Sequence, residues 1–105
     1  MEAATATENL TRMMNLDLAN RARMGAAALK REVRDGRTPV ARALWDERAA
    51  CVPLVDLIAA QVRWGRTRAR GWLIKLGLDD LTLHRRVDQL TDRQRRIVAL
   101  AAPGR

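Results

Sequence analysis

Residues 64–76, which read WGRTRARGWLIKL, contain the local signals that decide how this chain folds. Gly65 stands just before a run of good helix formers, so we expect a turn that leads into a helix. The apolar positions recur at steps of three or four and predict the inner face of that helix: Ala69, Trp72, Leu73 and Leu76. Gly77 is a natural C-terminal stop. The stretch therefore predicts the second helix of a closely connected pair.

The first helix of this pair is predicted just upstream. Pro53 suits the start of a helix, and the apolar residues after it keep helical spacing: Leu54, Leu57, Ile58 and Val62. We expect this helix to be largely buried, with the pair covering about residues 53–77.

A long helix is predicted over about residues 9–35, which contain no proline and precede Gly36. Its apolar residues form one stripe, and we expect all of them to be buried: Leu10, Met14, Leu18, Ala22, Gly25, Leu29 and Val33. Residues 1–8 are expected to form a flexible N-terminal tail.

Capping signals mark two further helices. Thr38 is predicted to cap a short second helix, with Pro39 in its first position, that runs to about Ala50. Thr91 and Gln94 match a capping box, which predicts a last helix over about residues 92–101. The stretch 79–87 is either a helical turn or an ordered loop.

Length and composition fit one all-α domain. The 105 residues are 48% hydrophobic without Phe or Tyr, so the core must use aliphatic residues, Met and Trp, which suit packed helices. We expect a single domain over residues 9–102. Its long N-terminal helix should pack on a compact bundle of four to five short helices.

The charge balance predicts a polyanionic partner. There are 20 basic against 12 acidic residues, for a net charge of +8, and all but Lys30 and Lys75 of the basic residues are arginine. Arginine grips phosphate oxygens bidentately. A GC-rich genome is an alternative reason for the arginine bias, but it does not explain the net charge.

Several function classes are disfavoured. The single histidine, His84, and the single cysteine, Cys51, cannot build a catalytic network or a metal site, so we expect no enzyme, no metal and no cofactor. Cys51 is expected to be a small buried residue. The N-terminus does not resemble a signal peptide, and no apolar run approaches a membrane span. We expect a soluble, cytoplasmic protein.

The turn around Gly65 is the first candidate site. A glycine before a helix lets a phosphate approach the free amides of the first turn. Thr67 is placed to cap the helix or donate its hydroxyl, while Arg66, Arg68 and Arg70 add positive charge. The alternative is a tight helix–helix connection with no ligand.

A second basic cluster flanks the start of the last helix. Positive charge there opposes the helix dipole, which indicates another use, and phosphate neutralisation is the candidate. The cluster consists of Arg85, Arg86, Arg93, Arg95 and Arg96. The alternative is a solvated face in which Asp88 and Asp92 are the partners.

Four stretches together resemble a known family: residues 36–38 (GRT), 65–69 (GRTRA), 85–86 (RR) and 90–96 (LTDRQRR). They are similar to the actinobacterial integration host factors, which are nucleoid-associated proteins, and the likeness covers nearly the whole chain beyond the tail. Residues 64–76 also resemble the helix-two-turns-helix of a small-subunit ribosomal protein family and of some DNA-repair glycosylases.

The resemblance implies a module that grips duplex DNA backbone with the turn around Gly65 and with Arg85 and Arg86. It also implies DNA bending or compaction, and association with the nucleoid. Two residues depart from the family pattern: Asp88 replaces a basic residue, and Trp64 replaces a smaller aliphatic one.

Two alternatives remain open. An RNA-binding or ribosome-associated role fits the same motif, because phosphate contacts alone do not separate DNA from RNA. A phage-encoded adaptor that binds another protein is the third reading, and exposed Trp45 or Trp64 would favour it. An integrase or another nucleoprotein component is a candidate partner, and we expect the chain to be a monomer.

Overall fold

The computed structural model describes residues 2–102, with side chains described from Glu8 onward. Its α-helices are α1 (Glu2–Arg34), α2 (Val40–Ala43), α3 (Leu54–Ala59), α4 (Arg66–Lys75), α5 (Asp80–Leu83) and α6 (Asp92–Ala101). Two 3₁₀ helices, Glu47–Ala49 and Val87–Gln89, complete them. The described part contains no strand, only an isolated antiparallel bridge between Pro53 and Arg86. The predicted all-α fold, with one long helix on a bundle of short ones, is confirmed.

Helix α1 is longer than predicted, and only its C-terminal half packs on the bundle. It begins at Glu2 instead of about residue 9. Of the tail predicted over residues 1–8, only Glu8 has a described side chain. The flexibility of that tail therefore stays a prediction. Leu29 and Val33 are buried, as expected.

The prediction that the N-terminal half of the apolar stripe is buried is wrong. Leu10, Met14 and Leu18 are 61%, 65% and 61% exposed, and Ala22 is exposed as well. The reason is length, because a 33-residue helix extends about 50 Å while the molecule measures 57 × 28 × 23 Å, so the bundle covers only part of α1.

A charged network fixes the packed half of α1 against the chain after α2. The Arg48 guanidinium donates to both Glu32 carboxylate oxygens, at 2.6 and 3.0 Å, and also to Asp46. The Thr38 hydroxyl donates to Glu32 at 3.0 Å. Thr38 therefore anchors α1 and does not cap α2, whose N-cap position is Pro39.

The core is formed by aliphatic residues from every short helix. Helix α3 is nearly all buried, as predicted, and α4 contributes Ala69 and Leu73. Val62 is 64% exposed because α3 ends at Ala59, earlier than the spacing predicted. Cys51 is also exposed, against expectation.

The remaining helix ends follow their capping signals. The hydroxyl of Thr91 accepts from the Gln94 amide at 3.1 Å while the Gln94 side chain accepts from the Thr91 amide at 2.9 Å, so the predicted capping box is confirmed. Gly77, at φ 91, follows the end of α4. Among the described helices, none combines the length and apolarity that a membrane span requires.

Candidate nucleic-acid interface

The connection between α3 and α4 turns at Arg63. Its φ of 66 lies in the left-handed region that favours glycine. Gly65, the N-cap of α4, instead has φ −92 and ψ 175, an extended conformation that any residue adopts. The backbone path therefore does not require glycine at position 65.

Gly65 matters through the space that it leaves. A Cβ built on Gly65 would meet nothing within 4 Å, and no side chain caps α4. Thr67 lies inside α4 and does not cap it. The first-turn amides of α4 therefore have no side-chain cap, and a helix N-terminus without a cap can accept an anion.

The three arginines of this turn already have partners within the chain. Arg66 pairs with Asp56 at 3.4 Å, and Arg70 with Asp80 at 3.1 Å. The Arg68 guanidinium lies 4.3 Å from the centroid of the Trp64 ring. Exposed ion pairs contribute only about 0–1 kcal/mol, so a phosphate can replace these carboxylates at little cost.

The Arg85–Arg86 segment is attached to the start of α3 by its backbone. The Leu54 amide donates to the Arg85 carbonyl at 2.9 Å, and Pro53 and Arg86 form the isolated bridge. Both arginines are exposed, and Arg86 lies 3.6 Å from Asp88. The side chains are thus free to contact a ligand while the backbone carries the fold.

Arg85 also acts on Asp79, the N-cap residue of α5. Hydrogen bonds from Thr82 lower the pKa of Asp79, and the charge of Arg85 lowers it further. Asp79 therefore stays ionised beside this basic segment.

The two basic groups meet at one end of α3. Arg66 reaches Asp56 and the Arg85 carbonyl is bound by Leu54, both within the first turn of α3. Residues two positions apart in a helix differ by about 3 Å along its axis. The two contacts therefore lie at the same end of α3, while Leu54 and Asp56 themselves point about 200° apart around its axis.

Arg93 is not brought to that end by any contact observed. It is exposed in the first turn of α6, whose main neighbour is α2, and it has no ion pair with another described residue. Arg95, its near neighbour, lies over the Trp45 ring at 5.4 Å.

Sequence reasoning missed a groove along α4. It is lined by Trp64, Thr67, Arg68, Gly71, Trp72 and Lys75 and has a volume of about 510 Å³. The Trp64 and Trp72 rings meet edge to face, with centroids 5.6 Å apart. The signal in the sequence was the pair of tryptophans, Trp64 and Trp72, eight residues apart. The helical spacing had placed only Trp72 on the inner face of the helix.

A scan against protein-family models finds no match, and searches of curated proteins and of solved structures find no similar protein. Within residues 8–102, no three His, Cys, Asp or Glu side chains gather as metal ligands.

Proposed function

We propose that this protein binds the phosphate backbone of duplex DNA, with low sequence specificity, through the surface formed by the α3–α4 connection and the Arg85–Arg86 segment. In this proposal it acts as a monomeric, nucleoid-associated architectural protein similar to the actinobacterial integration host factors. The net charge of +8 provides the long-range attraction to the polyanion.

One observation carries the proposal: both basic groups are attached to the first turn of α3. Arg66 is attached by its ion pair with Asp56. Arg85 is attached by the hydrogen bond that its carbonyl accepts from the Leu54 amide. Cations at one end of a helix can contact a phosphate backbone, and the uncapped N-terminus of α4 adds backbone donors next to Arg66.

Low specificity follows from the kind of contact. Arginine side chains and backbone amides at phosphates fix register but read no base edges. If the arginines at 66, 68, 70, 85 and 86 each neutralise one phosphate, the logarithm of affinity should fall against log salt with a slope of about −4.5. DNA shape and flexibility would then set the preferred sites and any bend.

The decisive experiment is a competition between a duplex DNA and a structured RNA at two salt concentrations. Duplex DNA binding with the stated salt slope supports the proposal. Preference for the RNA would support the ribosome-associated alternative, and an affinity independent of salt would reject the phosphate mechanism. Energy transfer between dyes at the duplex ends measures bending in the same samples.

A second candidate, a protein-binding adaptor, is favoured by the exposed half of α1. Its large apolar side chains are 58–66% exposed: Leu10, Met13, Met14, Leu16 and Leu18. Exposed apolar patches often mark protein interfaces, and Trp45 is 49% exposed. The competition assay separates the two candidates, because a pure adaptor would bind neither nucleic acid.

A further inference from the structure

The groove along α4 combines features of a site for one planar, anionic ligand. Its volume is about 510 Å³, within the usual range for small-molecule sites. Of the described residues that line it, Arg68 and Lys75 are cationic and none is acidic. The ligand should therefore carry negative charge.

Two aromatic rings and one guanidinium plane line the groove, and a flat ligand can stack on an open face of one of them. Trp64 and Trp72 meet at 86°, and the Arg68 guanidinium lies 4.3 Å from the Trp64 centroid. Bases that leave a nucleic acid stack are held on aromatic rings and on arginine planes.

Gly71 provides an independent observation. It lies in the middle of α4, where glycine is the least favourable residue after proline, yet a Cβ there would meet nothing within 4 Å. Gly25 in α1 differs, because a Cβ there would lie 3.4 Å from Arg48. Nothing inside the described chain requires Gly71, and its missing side chain leaves this wall of the groove open to a ligand.

We propose that the groove binds a single unpaired base of a DNA strand, stacked beside Trp64 and Trp72 over the gap at Gly71, with Lys75 and Arg68 near its phosphates. This rests on the proposed duplex-binding function and deepens it. Trp64 directly precedes Gly65, Thr67 follows it by two residues, and both line the groove, so a backbone held at the turn continues into the groove. DNA with an extruded base becomes the preferred substrate class.

The test uses three duplexes of equal length: one fully paired, one with a single bulged adenine, and one with a bulged abasic residue. Both bulges make the duplex flexible, so comparing them isolates the base itself. We expect wild-type protein to bind the adenine bulge about tenfold more tightly than the abasic bulge. With 2-aminopurine in the bulge, its fluorescence should be quenched on binding.

Gly71→Gln fills the groove with a long side chain that favours helix, so the variant should fold at least as well as wild type. It should bind both bulged duplexes equally and leave the affinity for paired duplex unchanged. Gly71→Ala is the matched control, because it also replaces the unfavourable helical glycine but leaves the groove open. This variant should keep the preference for the adenine bulge over the abasic bulge.

Equal wild-type affinity for the two bulges, or a Gly71→Gln protein that keeps the preference, overturns the inference. If paired duplex is still bound in that case, the proposed function stands. A protein that binds no duplex but quenches 2-aminopurine in a single strand would support the base site while refuting duplex binding.

Discussion

The backbone amide of Leu54 donates a hydrogen bond of 2.9 Å to the carbonyl oxygen of Arg85, which fixes a basic segment to the start of a buried helix. The bond uses main-chain atoms alone. The arginine side chain can therefore be removed without removing the anchor. The fold and the charge of this segment are separable by mutation.

Arg85→Ala combined with Arg86→Ala should weaken duplex binding for every sequence tested and leave helicity unchanged. Each lost phosphate contact should reduce the salt slope by about one, so the double variant should lose about two. Arg12→Ala with Arg23→Ala, on exposed α1, removes equal charge away from the site. Fluorescence anisotropy at several salt concentrations checks both, and equal effects of the two pairs would contradict the assignment.

Substitutions at Gly65 should also change duplex binding without destabilising the fold. Its extended backbone and the open space around it admit any side chain. Gly65→Asp and Gly65→Asn should both cap α4 and keep or slightly raise thermal stability. Only the aspartate repels a phosphate from the first-turn amides, so it should weaken duplex binding at least tenfold more than the asparagine does. Unchanged duplex binding in both variants would show that the amides are not contacted.

Asp88 restrains Arg86 at 3.6 Å, and its removal should strengthen binding. Asp88→Asn frees the arginine and removes a negative charge from the interface, so we expect a gain of about two- to fivefold, on the scale of surface ion pairs. Asp17→Asn changes the net charge equally but releases Arg21 on α1. A gain of the same size from that control would mean that total charge alone sets the affinity.

Local signals predicted most of the short elements, since a capping box, a helix-ending glycine or a helical repeat acts within a few residues. Helix α4 and the Thr91 cap are examples. The exposure of Leu10 could not be predicted, because periodicity shows which residues share a face but not how far the bundle reaches. The left-handed conformation of Arg63, two residues before the predicted turn at Gly65, has no signal in the local sequence.

The candidate site was likewise predictable from the sequence only in part. Arginines near a helix start were visible in the sequence as a charge pattern. Their acidic partners were not, because Arg66 reaches ten residues back to Asp56 and Arg70 ten residues forward to Asp80. The groove beside Trp64 also depends on the turn that brings that ring against α4, which no spacing rule specifies.

The Glu32–Arg48 pair predicts a loss of stability in acid. Hydrogen bonds from Arg48, then from Thr38, lower the pKa of Glu32 from 4.5 to about 2. A carboxylate with a depressed pKa stabilises the fold above its unfolded value and loses that contribution as pH falls through the folded value. The melting temperature should therefore fall between about pH 4.5 and 2.

Glu32→Gln should flatten this part of the pH profile, while Glu47→Gln, which removes an exposed carboxylate with no ion pair to another described residue, should leave it as in wild type. Thermal unfolding followed by circular dichroism at half-unit pH steps measures the pH dependence of the melting temperature. Parallel profiles for wild type and Glu32→Gln would exclude the pair as the source.

The two halves of α1 should contribute very differently to stability. Leu29 is fully buried, so Leu29→Ala should cost about 2–5 kcal/mol, whereas Leu10 is 61% exposed and Leu10→Ala should change stability by less than about 0.5 kcal/mol. Urea unfolding of the two variants makes the comparison with the same chemical change. A large, concentration-dependent loss from Leu10→Ala would mean that another chain covers the exposed half of α1 in solution, because only a partner could bury that side chain.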